Sequence, residues 1–253
     1  MKYQSNYLLL LLTAFITSGI QKDAYASVTT SFQEHDITRK VKILAIKNPD
    51  RRPLQSFLYG LEAAEKFQSF APKADVGFQL LPQQNVRVNI QGLNLRLVSS
   101  DAEAVIPMEE DGFFRLDKNM SKGQQEDIEV IVSTKSGTTR FQSAVRSPNL
   151  LVNEKRLGDL RLQCEMDWAM NKRDLTFLMK VSLSMGASVC QSKKVAIAFA
   201  EPRRFTSVSL EEGERKIFVY KGKAVNRYVP PIYDQSWGND AKLTFEYETE
   251  IAE

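Results

Sequence analysis

Apolar residues along this chain repeat with two different periods, and the changes between them lay out the predicted elements. Lys2 precedes an almost wholly apolar run from Tyr7 to Ile16, which polar Thr17, Ser18, Gln21, Lys22 and Asp23 then end. A membrane-spanning helix needs ~20 apolar residues, more than this run supplies. A positive start, a short apolar stretch and small residues at Ala24 and Ala26 form the pattern of a secretory signal peptide. Residues 1–26 are therefore expected to be removed after Ala26. Residues 27–39 are polar and without periodicity. Val41, Ile43 and Ala45 alternate with polar neighbours and predict a first strand, broken by Asn48-Pro49-Asp50. From Pro53, Leu54, Phe57, Leu58, Leu61, Ala64 and Phe67 recur at helical spacing, with Gln55, Glu62, Glu65 and Lys66 facing outward. The spacing predicts a helix over about 53–70, stopped at Ala71-Pro72.

From Asp75 the period becomes two. Val76, Phe78 and Leu80 alternate, then Val86, Val88 and Ile90, then Leu93, Leu95 and Leu97. Val105-Ile106, Phe113 to Leu116, Ile128 to Val132 and Thr138 to Phe141 continue the series, with turns at Gln91-Gly92, Glu110-Asp111-Gly112 and Ser136-Gly137. Short strands with closely spaced turns predict an antiparallel β-sandwich-like module over residues 27–148, carrying one packed helix. Residues 145–158 lack periodicity and hold Pro148 and Gly158, which places a boundary there. Beyond it Leu160, Leu162 and Cys164 alternate through about Trp168 and predict another strand. Leu175, Leu178, Val181 and Met185 keep helical spacing and predict a helix over about 172–186, stopped at Gly186. Strands are then expected at Val195–Phe199, Val208–Leu210, Ile217–Val219 and Leu243–Tyr247, with a long loop around Pro230-Pro231 and Trp237-Gly238-Asn239-Asp240. The fold class is thus mainly β (α+β), with a second β-rich module over residues 149–253.

Composition narrows the setting. Hydrophobic residues at 43% and charged residues at 26% are ordinary for a globular chain. The formal net charge is +3, and basic residues cluster only as pairs such as Arg51-Arg52, Lys193-Lys194 and Arg203-Arg204. A nucleic-acid groove requires a denser stripe, so no nucleic-acid partner is expected. The two cysteines, Cys164 and Cys190, predict one disulfide in an exported protein, and their spacing is not that of a C-x-x-C redox pair. With no cysteine just after the cleavage point and no later apolar run, no membrane anchor is expected after signal cleavage.

Candidate chemistry is sparse. The single histidine, His35, excludes H-E-x-x-H and two-histidine metal sites, and no G-x-S-x-G, P-loop or G-x-G-x-x-G occurs. No catalytic residue and no cofactor are expected. Glycoside hydrolysis needs only two carboxylates, but Glu109, Glu110, Asp111, Glu211 and Glu212 stand beside turn glycines, where acids are ordinary. Asp117, Asn119 and Ser121 match the first oxygen positions of a calcium loop; Gly123 and Glu129 each fall one place late. The same Asn119-Met120-Ser121 reads as a glycosylation sequon. Tyr228, Tyr233, Asp234 and Trp237, around the double proline, are the candidate ligand surface; packing at the end of the sheet is the competing role. Trp168, four residues after Cys164, is expected to pack against the bridge.

Residues 95–116, LRLVSSDAEAVIPMEEDGFFRL, run as strand, turn and return through Asp111-Gly112-Phe113-Phe114. This resembles the repeated hairpin of transthyretin-like, carboxypeptidase regulatory-type sandwich domains, where a D-G-x-F turn follows such a strand. Residues 60–82, 146–170 and 230–246 resemble a family of exported proteins of Gram-negative bacteria to which no activity is assigned. That resemblance implies the periplasm and imports no chemistry. The expectation is an exported, non-enzymatic binding or interaction protein whose partner is a glycan, a peptide or an envelope protein. The alternatives are an enzyme acting on envelope polysaccharide through two carboxylates, and a chaperone-like or scaffold subunit pairing through a sheet edge.

Overall fold

The computed structural model describes residues 46–83, 86–121, 128–175 and 188–249. The leader over 1–26, the polar segment with His35, the strand expected at Val41–Ala45 and most of the helix expected over 172–186 lie outside these residues. Antiparallel pairing dominates, and the fold is mainly β with two α-helices, as the alternating patterns require.

Three sheets carry the described chain. The first runs β1 (Pro49–Pro53), β6 (Glu129–Lys135), β3 (Leu95–Val98), β4 (Glu103–Ile106) in spatial order. The second runs β5 (Phe113–Phe114), β2 (Asp75–Pro82), β7 (Thr139–Arg146). The third runs β10 (Arg215–Tyr228), β9 (Phe199–Glu212), β11 (Lys242–Tyr247), β8 (Glu154–Arg156). β1 begins at the very residues read as a break. Its sequence, PDRRP, belongs to an edge strand, where proline need not cost a ladder hydrogen bond. Asp50 ties this edge down: its carboxylate accepts from Gly137 N (2.6 Å), Thr139 N (2.8 Å) and Thr139 Oγ1 (2.6 Å). Residues 86–89 form no strand, and Ile90–Gly92 is a single 3-10 turn. The predicted first helix is α1 (Leu54–Lys66), followed by a separate 3-10 turn at Gln68–Phe70.

The main correction concerns residues 157–171. Leu160 to Trp168 is no strand; Leu157–Asn171 is a second helix, α2. Polar residues occupy every odd position from Asp159 to Asp167, with apolar residues at the even positions between them. On a helix, residues two apart lie about 200° apart around the axis, so a period of two produces two apolar stripes on opposite faces. Leu162, Met166 and Met170 face one core; Leu157, Leu160 and Cys164 face the other. The first core also holds Phe57, Phe78, Phe114, Leu80, Leu95, Val130 and Val132, with Phe57 edge-on to Phe78 (5.0 Å) and Phe141 (5.2 Å). Phe205, Tyr228 and Phe245 pack edge-to-face in the second, with Val208, Leu210, Leu243 and Trp237. Twelve of the fifteen α2 residues are buried, so it is a shared partition rather than a surface helix. Gly158 permits its tight entry: a Cβ there would stand 2.2 Å from the Phe70 carbonyl oxygen.

The expected disulfide is present. Cys164 on α2 is bonded to Cys190 in the 3-10 turn Val189–Gln191. The Asp111-Gly112 turn also has a physical account. Gly112 takes φ +87°, Asp111 Oδ1 accepts from Phe113 N (3.1 Å), and Glu109 N donates to Phe113 O (2.7 Å).

Candidate functional site

The polar flanks of α2 have to be satisfied one residue at a time, and one flank leaves a cleft. Arg161 is buried and donates to Ile232 O (2.9 Å), Asp234 O (2.7 Å), Trp237 O (3.0 Å) and Asn239 Oδ1 (2.6 Å), so it holds the whole loop before β11. Asp159 accepts from Ser147 N and Oγ (3.2 and 2.7 Å); burial pushes its carboxyl above the usual range. On the row that continues from Asp159, opposite Arg161, Gln163, Asp167 and Asn171 recur every four residues and line an open cleft of about 360 Å³.

Its walls come from both halves of the chain. β7 supplies Arg140, Phe141 and Gln142; the segment entering β9 supplies Ile197 to Ala200; the end of β10 supplies Arg227. Trp168 and the Cys164–Cys190 bridge complete the lining. Asp167 Oδ1 accepts from Ser143 N (2.7 Å) and Ser143 Oγ (2.8 Å). Burial nevertheless dominates, and the carboxyl is pushed up to about 6 against those bonds and against the charges of Arg140 and Arg52. Arg140 Nη1 donates to Gln142 Oε1 (2.8 Å), and burial together with the nearby Arg227 charge lowers its pKa. Arg52, from β1, seals the end of α2 by donating to Met170 O (3.0 Å) and Asn171 Oδ1 (2.8 Å).

The residues singled out from sequence are scattered. Tyr228 and Trp237 are core residues: the Tyr228 hydroxyl donates to Glu201 Oε1 (3.4 Å), and Arg215 stacks 3.9 Å above the Trp237 ring. Tyr233 is half-buried, and Asp234 turns its carboxylate onto Ser236 N (2.9 Å), which holds its pKa down. Asp117 Oδ1 accepts from Asn119 N and Nδ2, both at 2.8 Å, which closes a local turn; the Ser121 side chain lies outside the described residues. Glu109 and Asp111 pair with Arg115 and Arg146 around the Phe113 ring. Glu211 pairs with Lys216, and Glu212 accepts from Gly238 N. None of these acids lines the cleft. A larger groove beside α1, about 730 Å³, has its charged rim already paired, Arg115 with Asp75 and Lys118 with Glu65.

Trp168 does stand beside the bridge, as its spacing from Cys164 predicts; it is half-buried and lines the cleft. Arg140, Asp167 and Arg227 carried no signal that sequence alone could join, because three separate elements bring them together. No protein-family model, curated protein or solved structure matches this chain.

Proposed function

We propose that this is an exported, periplasmic binding protein whose small ligand occupies the cleft on the Gln163–Asp167–Asn171 flank of α2. The carrying observation is the cleft itself, whose lining combines apolar Trp168, Phe199, Ile197 and the disulfide with polar Arg140, Gln142, Gln163, Asp167 and Asn171. A concavity with this mixed lining, at about 360 Å³, lies within the range of small-molecule sites. The leader pattern, the disulfide and the resemblance to exported Gram-negative proteins support the compartment. Among the described residues, no helix is long and apolar enough to cross a membrane. Among the described residues, Asp167 is the one carboxylate in the lining, which favours binding over two-carboxylate hydrolysis. Sheet-edge pairing has less support, because exposed β10 carries Lys216, Lys221 and Lys223 and three register shifts, the features that guard an edge.

A thermal-shift screen of the oxidised protein against peptidoglycan fragments, glycans, peptides and small amphiphiles tests this reading. A ligand at a hundred times its Kd stabilises by about 2.7 kcal/mol, which is roughly 5–10 °C for a chain of this size. The expected result is a selective shift that Trp168→Leu removes. A flat screen, or a shift indifferent to Trp168, overturns it.

A further inference from the structure

We propose that the ligand of this cleft carries an anionic group (carboxylate, sulfonate or phosphate) seated between the guanidinium groups of Arg140 and Arg227. The inference rests on the binding reading above and names the chemistry of its ligand. Two arginines from different sheets, one on β7 and one at the end of β10, line the same concavity. They are close enough that the charge on Arg227 disfavours the charge on Arg140. Juxtaposed like charges in a partly desolvated site cost stability, and folding alone gives no reason to keep them.

Most other arginines are neutralised or otherwise engaged: Arg161 is held by carbonyl oxygens and Asn239, and Arg203 lies over the Tyr247 ring. Arg51, Arg52, Arg96, Arg115, Arg146, Arg156, Arg204 and Arg215 all sit within 4 Å of a carboxylate. Among the described residues, the Arg140 side chain bonds only Gln142, and the Arg227 side chain makes no hydrogen bond or ion pair; its cross-strand neighbour is Ala200. Asp167 does not balance them. It brings one negative charge against two positive ones, and its Oδ1 is engaged by Ser143 N and Oγ. The cleft is therefore electropositive whichever protonation state Asp167 holds. Planar guanidinium forks match carboxylate, sulfonate and phosphate oxygens, and Gln142, Gln163 and Asn171 add amide donors nearby. Trp168, Phe199 and Ile197 then face the apolar part of the same molecule.

Two fluorescent probes separate this inference from the reading beneath it: 1-anilinonaphthalene-8-sulfonate, an aryl sulfonate, and N-phenyl-1-naphthylamine, the same ring system without the charge. The expected result is that Trp168→Leu weakens both probes at least fivefold. Arg227→Gln and Arg140→Gln each weaken the sulfonate at least tenfold and leave the neutral amine within twofold. Arg227 is exposed, so Arg227→Gln carries the test even where Arg140→Gln fails to fold. Its melting temperature without probe is expected to equal or exceed that of the parent, a sign opposite to the loss of a structural contact. If Trp168→Leu weakens both probes but the arginine variants change neither, the cleft binds and the anion inference falls. If neither probe responds to Trp168→Leu, the cleft reading falls and takes the inference with it.

Discussion

Single residues in this protein are set by what α2 obliges them to satisfy, and Asp167 is the clearest case. A carboxylate held in a partly desolvated flank with only Ser143 as donor keeps its proton to higher pH than in the unfolded chain. Its folded pKa is raised, so its contribution to stability is full below the unfolded value near 3.8 and is lost as pH rises through about 6. A shift of that size corresponds to about 3 kcal/mol between the two limits. Asp167→Asn keeps an acceptor for Ser143 and removes the buried charge. Chemical denaturation of both proteins from pH 4 to pH 8 should therefore show the variant gaining on the parent across that window, approaching 3 kcal/mol at the top. A difference that does not change with pH refutes the assignment. Nothing in the sequence marked Asp167, since an acid in an alternating run reads as the solvent side of a strand.

At the level of elements, what could be read from sequence divides by how many faces each element buries. β6 and β11 bury alternate positions, so their period of two survives in the sequence, and α1 keeps a one-sided helical stripe. The helix α2 buries two opposite faces, and its summed pattern imitates a strand. β1 and β8 are too short or too proline-rich to carry a pattern at all. The candidate loop around Tyr233 was legible as a loop, but not the buried guanidinium that shapes it. Arg161 sits in the α2 run as one more polar alternation, and only the helix places its fork against Ile232, Asp234 and Trp237. Arg161→Met removes those donors and leaves buried carbonyls unpaired, at about 1–3 kcal/mol for each group. The expected loss is at least 3 kcal/mol, with amide exchange speeding up first across residues 230–240. Arg161→Lys is expected not to restore it, since a single ammonium cannot span the fork's partners. Unchanged exchange in that loop would show that Trp237 packing alone holds it.

For the whole molecule, the shared helix makes cleft and stability one problem. The cleft is walled by β7 of the second sheet and by β9 and β10 of the third, with α2 between them, so neither half of the chain contains the site. The described residues cluster as one unit. A fragment ending at residue 148 would keep α1 and the first two sheets but lose Leu162, Met166 and Met170, three fully buried side chains of its core. Each is worth about 1.5–3 kcal/mol, so their loss removes about 5–9 kcal/mol from a domain whose entire stability is typically 5–15. The fragment is expected to lack a cooperative thermal transition. The full chain should melt in one, with calorimetric and van't Hoff enthalpies equal. Phe78→Ala in one core and Phe205→Ala in the other should then lower the same transition, each by about 3–5 kcal/mol of stability. Two separable transitions, each answering to one of these substitutions, would mean that α2 belongs to a single core and that the cleft opens without unfolding either. A single transition shifted by both would make ligand binding in the cleft a stabiliser of the entire chain.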